Sequence, residues 1–192
     1  MSTAIPSPLR REPQLAGQTV VVIGGSAGIG LETARLAHAE GATLVLTARN
    51  PERLQHVASE LTRASTVAFD ATEFERLAQF FDQLPAPIDH LLLTGPGPYY
   101  ASLADFDFEK ARRTTEAHLF LPLQVARHAA NKVRPGGTLL FMGGAGSRRG
   151  RRDSLLSRLE SEYSSSSTAI SPATLRRCVD ELSPGPSVID EV

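Results

Sequence analysis

Gly24-Gly25-Ser26-Ala27-Gly28-Ile29-Gly30 is the stretch of this chain whose residue types and spacing point most directly to chemistry. It follows the β-branched run Val20 to Ile23 and opens a segment of helical periodicity, so it reads as the turn of a strand, turn, helix unit. Such a turn brings backbone N–H groups and the positive end of a helix dipole to one place, where a pyrophosphate can sit. Glycine belongs there because a Cβ would block close approach of the backbone or forbid a positive φ. Contacts are expected from Gly24, Ser26, Gly28, Ile29 and Gly30; the plain alternative is a turn that only packs strand against helix. About twenty residues on, Thr47-Ala48-Arg49-Asn50 holds no acid to bind ribose hydroxyls, whereas Arg49 suits a 2′-phosphate. NADP(H) is therefore expected over NAD(H), against the alternative that Arg49 is a solvated loop residue.

The elements that must position this turn follow in a regular rhythm. Gly28 and Gly30 open a helix whose inward face is expected to be Ile29, Thr33, Leu36 and Ala37, closed by Gly41. Thr43 to Thr47 is a second strand, and Asn50-Pro51 is an N-cap and first-turn pair for a helix through Leu54, Val57 and Leu61. Thr66 to Phe69 is a third strand, followed by a helix from Glu73 to Leu84 with Phe74, Leu77, Phe80 and Phe81 on its apolar side. Ile88 to Leu93 is a fourth strand. A long helical region is predicted from Phe108 to Asn131, kinked at Pro122, and Pro135-Gly136-Gly137 turns it into a fifth strand over Thr138 to Met142. This alternation predicts an α/β fold, a doubly wound parallel sheet of about five strands, Rossmann-like and incomplete at its C-terminal side.

Composition sets outer bounds. The chain has 192 residues, enough for one domain with a real core, and a net charge of −1 that offers no electrostatic case for nucleic acid or membrane as a partner. The single cysteine, Cys178, excludes an internal disulfide and fits a reducing compartment; no metal site is expected. Residues 1–17 read as a flexible leader without an apolar signal region, so a cytoplasmic protein is expected. Residues 18–146 form the expected dinucleotide-binding domain, and 147–192 a divergent Ser/Arg-rich tail with one or two short helices, one of them following Ser171-Pro172. The tail shows no strand pattern apart from Ser187-Val188-Ile189, and its basic residues read as a solvated segment or, less simply, a polyanion site.

The spacing G-x-x-x-G-x-G over Gly24 to Gly30 closely resembles the glycine motif of the short-chain dehydrogenase/reductase family, over residues 15 to about 146. The resemblance implies further contacts. Asp70 resembles the family's Asp beside the adenine ring, an N-cap role being its alternative, and Thr94-Gly95-Pro96-Gly97 stands in place of the family's Asn-Asn-Ala-Gly. Only Gly97 survives there, so that contact rests on backbone groups. The family also packs the helix at the position of the long helical region against its copy in a partner, which makes a homo-oligomer an expectation.

Carbonyl-reducing members of the family use a Tyr as acid/base, a Lys four residues later that lowers its pKa, a Ser after the fifth strand and often an Asn in the long helix. A free tyrosine titrates near ~10, so it needs that cation to work at neutral pH. Here Gly144 falls at the serine, His118 at the asparagine, and Tyr163 is followed four later by Ser167; Ser147 and Tyr163 form at most a displaced pair. Two readings follow. One is an NADP(H)-dependent oxidoreductase acting on a carbonyl or hydroxyl of a small molecule, with an atypical site from Tyr99, Tyr100 and His118. The other is a non-catalytic dinucleotide-binding protein, a sensor or partner subunit, in which the tyrosines cover the cleft and His118 is an ordinary helix histidine. The loss of rhythm at Gly146 also suggests a truncated or frame-shifted gene product.

Overall fold

The computed structural model describes residues 14–95 and 99–142, together with the strand Ala169–Ile170. The elements run β1 (Thr19–Ile23), α1 (Gly28–Ala39), β2 (Thr43–Ala48), α2 (Pro51–Glu60), β3 (Ala64–Ala68), α3 (Phe74–Gln83), β4 (Ile88–Leu93), α4 (Phe108–Thr115), a π-helical turn (Glu116–Phe120), α5 (Leu121–Ala129), β5 (Val133–Phe141) and β6 (Ala169–Ile170). The sheet order is β3-β2-β1-β4-β5-β6, with β1 to β5 parallel and β6 antiparallel to β5. This is the doubly wound, Rossmann-like arrangement that the rhythm predicted.

Strand alternation divides the core into two layers, because successive side chains point to opposite faces. Val20, Val22, Leu44 and Leu46 pack beneath Ala34 and Ala37 of α1 and Leu54 and Val57 of α2. Val21, Ile23, Val45 and Leu91 pack on the other face with Leu77, Phe80 and Phe81 of α3 and Val125 and Ala129 of α5. Both faces of the central strands are covered, so their apolar runs are continuous.

Five local expectations are corrected. The inward face of α1 is Gly30, Ala34 and Ala37, while Ile29 and Leu36 are exposed. Small residues win there because the helix runs close to the sheet: a Cβ at Gly30 would lie 2.3 Å from the Gly24 carbonyl oxygen. The third strand starts at Ala64, not Thr66. The predicted long helix is not α-helical throughout: a π-helical turn directly precedes Pro122, in a backbone that stays right-handed helical from α4 into α5, and the change of hydrogen-bond pattern falls where the proline lacks its N–H. The fifth strand begins at Val133 rather than Thr138 and absorbs Pro135-Gly136-Gly137 in a bulge, with Gly136 at φ 80°. Finally, β6 lies in a region where only Ser187 to Ile189 suggested a strand; that triplet and the helix expected after Ser171 fall outside the described residues.

Gln14–Gly17 forms a turn tied to α1. Its Leu15 N–H donates to the Glu40 carbonyl at 3.0 Å and Leu15 packs on the core, so these last residues of the expected leader belong to the fold.

Candidate dinucleotide site

The order of strands reverses between β1 and β4, and ligands of such sheets bind in the crevice outside the carboxyl ends at that point. The glycine turn stands there. Gly24 adopts φ 93° and Gly28 φ 54°, the left-handed region that glycine enters freely. The N–H groups of Gly24 and Gly25 donate to the Thr47 carbonyl at 2.9 and 3.0 Å, which ties the turn to β2. From the other side, the Thr94 hydroxyl donates to the carbonyls of Ile23 and Gly24 at 3.1 and 3.2 Å.

Helix α1 starts from this fixed turn. Its N-cap, Ala27, is extended at φ −162° and no side chain caps the end. The first N–H groups of a helix have no intrahelical partner, so those of Gly28, Ile29 and Gly30 are directed outward. A Cβ added at Gly28 would meet nothing within 4 Å. Uncapped donors, a helix dipole and open space over a left-handed glycine are what a pyrophosphate needs, so the residues present fit a dinucleotide. Ser26 is half-buried in the turn and Ile29 is exposed beside it.

Arg49 follows β2 directly, two residues beyond the Thr47 carbonyl that holds the turn. It is exposed and has no ion pair among the described residues. Behind it, the Asn50 side chain accepts the Arg53 N–H at 2.8 Å and starts α2, so the base of the arginine is fixed. Asp70 lies past β3 at the same edge. It does not cap α3, whose N-cap is Glu73; its carboxylate instead accepts the N–H and hydroxyl of Thr72 at 3.0 and 2.8 Å. The N-cap of the helix stands three residues after the aspartate, which leaves Asp70 to close a local turn.

The described proton-transfer candidates have different surroundings. His118 sits in the π-helical turn with its ring against Gly95, where a Cβ would lie 3.5 Å from Cδ2 and 3.7 Å from Nε2. Tyr99 is buried and its phenolic oxygen accepts the Asp107 N–H at 3.0 Å, with the Lys110 ammonium 4.7 Å from the ring centre. Tyr100 is exposed. Gly97, Gly144, Ser147, Tyr163, Ser167 and Cys178 lie outside the described residues. Sequence reasoning missed the double hold on the glycine turn, since the Thr47 carbonyl that accepts is backbone, common to any residue, and nothing in the spacing of Thr94 shows which carbonyls its hydroxyl meets.

The fold and the turn together define a nucleotide-binding α/β protein of the Rossmann type. More narrowly, the chain belongs to the short chain dehydrogenase family, whose profile matches residues 18–173. The match continues beyond Gly146, where the sequence reading ended the likeness. The chain is 29% identical over 132 residues to dehydrogenase/reductase SDR family member 7B of Danio rerio, covering 62% of this chain and 43% of that protein. It spans about half the length of the curated relatives it matches. A dehydrogenase/reductase from Sinorhizobium meliloti 1021 superposes with a TM-score of 0.72 at 25% identity, over 79% of this chain and 64% of that one. BdcA in complex with NADPH gives 0.69 at 21% identity, over 77% of this chain and 61% of that one, a likeness of fold.

Proposed function

We propose that this protein binds NADP(H) in preference to NAD(H) and uses it as an oxidoreductase on a carbonyl or hydroxyl of a small molecule. The observation that carries the reading is the uncapped N-terminus of α1 above a glycine turn held at the reversal of strand order. Gly24, Ser26, Gly28, Ile29 and Gly30 hold the pyrophosphate, Asp70 contacts the adenine region and Arg49 takes the 2′-phosphate; Gly97, outside the described residues, is a further backbone contact by family resemblance. NADPH bound to BdcA, a protein of like fold, supports the choice. When bound, the cofactor supplies hydride. Proton transfer falls to a side chain at the same edge, with His118 and Tyr100 the accessible candidates among the described residues and Tyr163 the candidate beyond them.

A second reading has its own support. Gly144 and Ser167 occupy the positions where carbonyl-reducing relatives carry Ser and Lys, which favours a dinucleotide-binding protein without turnover. NADPH fluorescence on titration with the protein, then turnover with a panel of carbonyls and quinones, separates the two. Binding with turnover supports the first, binding without turnover selects the second, and absence of binding defeats both. The reading also places the protein in the cytoplasm, as a homo-oligomer packed through α4 and α5; among the described residues, no helix is long and apolar enough to cross a membrane.

A further inference from the structure

Thr94 stands at the carboxyl end of β4, in a position that touches the cofactor turn without belonging to it. Its N–H donates to the Ile23 carbonyl at 2.9 Å, which any residue could supply. Its hydroxyl does what few residues could, donating between the Ile23 and Gly24 carbonyls at 3.1 and 3.2 Å. The two glycines leave room for it. A Cβ on Gly24 would fall 2.1 Å from Thr94 Oγ1, and one on Gly30 would fall 3.1 Å away. The Gly24 carbonyl so held is the group against which Gly30, in the first turn of α1, packs without a side chain.

We propose that Thr94 is a positioning residue for the dinucleotide, an inference that rests on the cofactor reading above. By fixing the Gly24 carbonyl, its hydroxyl fixes where α1 starts, and hence the direction in which the N–H groups of Gly28, Ile29 and Gly30 face the pyrophosphate. Thr47 holds the N–H side of the turn and Thr94 the carbonyl side. Donors ordered before binding raise affinity because their ordering no longer opposes association.

The test compares Thr94→Val, which keeps the shape and loses the hydroxyl, with Thr94→Ser, which keeps the hydroxyl. NADPH affinity is read by fluorescence titration, and folding by thermal unfolding without cofactor. Thr94→Val is expected to weaken NADPH binding about tenfold, on the scale of one hydrogen bond, and Thr94→Ser to stay within about twofold of the parent. If Thr94→Val fails to fold, Thr94→Ala is read by the same criterion. A hydroxyl-less variant that unfolds earlier but binds NADPH as the parent does makes Thr94 merely structural and overturns the inference. A parent protein that binds neither NADPH nor NADH overturns the cofactor reading itself.

Discussion

The phenolic oxygen of Tyr99 accepts the backbone N–H of Asp107 at 3.0 Å. Asp107 in turn caps α4 by accepting the Lys110 N–H at 3.0 Å, and Lys110 returns its ammonium over the Tyr99 ring. Tyrosine, aspartate and lysine thereby close a small knot that sets where α4 begins and, through α4, where the π-helical turn carries His118.

Because that hydroxyl is engaged with the backbone, Tyr99→Phe is expected to cost about 1 kcal/mol of stability and to change NADPH affinity by less than about twofold. Urea denaturation and NADPH titration of the same preparation check both. A variant of unchanged stability that has lost turnover would instead give the phenol a role in chemistry.

Gly30 separates packing from conformation at the cofactor turn. It needs no unusual φ, yet its Cβ would lie 2.3 Å from the Gly24 carbonyl oxygen. Gly30→Ala therefore has to push α1 off β1, at a cost of about 1–3 kcal/mol, and is expected to weaken NADPH binding by more than tenfold on the same scale. Gly28→Ala meets open space but a left-handed φ, so about 1–2 kcal/mol is expected from strain alone. Thermal unfolding of the two variants with and without NADPH distinguishes these costs. Equal NADPH affinity in Gly30→Ala and the parent would contradict the close packing.

The features legible in the sequence were those with a local period or a local cap. Val20 to Ile23, the Asn50-Pro51 start of α2 and the apolar side of α3 each appear where the residues place them. The errors came from tertiary contact. Periodicity cannot tell that Gly30, Ala34 and Ala37, rather than the larger Ile29 and Leu36, face the sheet, since that depends on how near the helix lies. Nor can it find the bulge in β5, set by Gly137 lying against the Asp89 carbonyl, or the antiparallel β6, which has only two residues of pattern to show. At the site, the glycines were legible because their spacing is the mechanism. Thr94 was not, because its role depends on which backbone carbonyls approach it, and the turn at Asp70, though local, uses a residue type that equally suits an N-cap.

Asp89 ties three strands at the opposite, amino edge of the sheet. Its carboxylate accepts the Thr19 N–H at 2.7 Å and pairs with the Arg134 guanidinium. The aspartate is 15% exposed and the arginine 41%, so the arginine contribution is screened by water. Asp89→Ala, which removes the acceptor of a half-buried N–H, is expected to cost about 1–3 kcal/mol, and Arg134→Ala less than about 1 kcal/mol. Chemical denaturation gives both; equal losses would shift the weight to the ion pair.

His90 and His128 make stability depend on pH. Burial lowers both pKa values, assisted at His90 by Arg134 and opposed by Asp89, and assisted at His128 by Arg127 and opposed by Asp82. In the unfolded chain each titrates near ~6.5. Below that pH the unfolded state binds protons that the folded state resists, so stability is full above the ordinary histidine value and falls as pH drops through it. Neutral His90 pairs with Gln18 Oε1 at 2.7 Å, and His128 stacks on Phe81 at 5.6 Å between ring centres. The urea midpoint is expected to fall between about pH 7.5 and 5.5, and His90→Gln with His128→Gln together to flatten that fall. The same slope in the parent and the double variant would assign the effect elsewhere.

Arg49 tests the cofactor choice. It stands exposed after β2, without an ion pair among the described residues, on a base fixed by the Asn50 cap. A guanidinium there is available to a phosphate, and a charge-assisted hydrogen bond of that kind contributes about 1.5–3 kcal/mol. NADPH carries the 2′-phosphate and NADH does not. Arg49→Ala is therefore expected to weaken NADPH binding by roughly tenfold to a hundredfold, while leaving NADH within about twofold. The loss should shrink as salt rises, because an exposed ionic contact is screened. Fluorescence titrations with both nucleotides at low and high ionic strength read all three expectations. If NADPH and NADH weaken together, Arg49 acts through the turn and not on the phosphate; if neither changes, the nucleotide preference has another source.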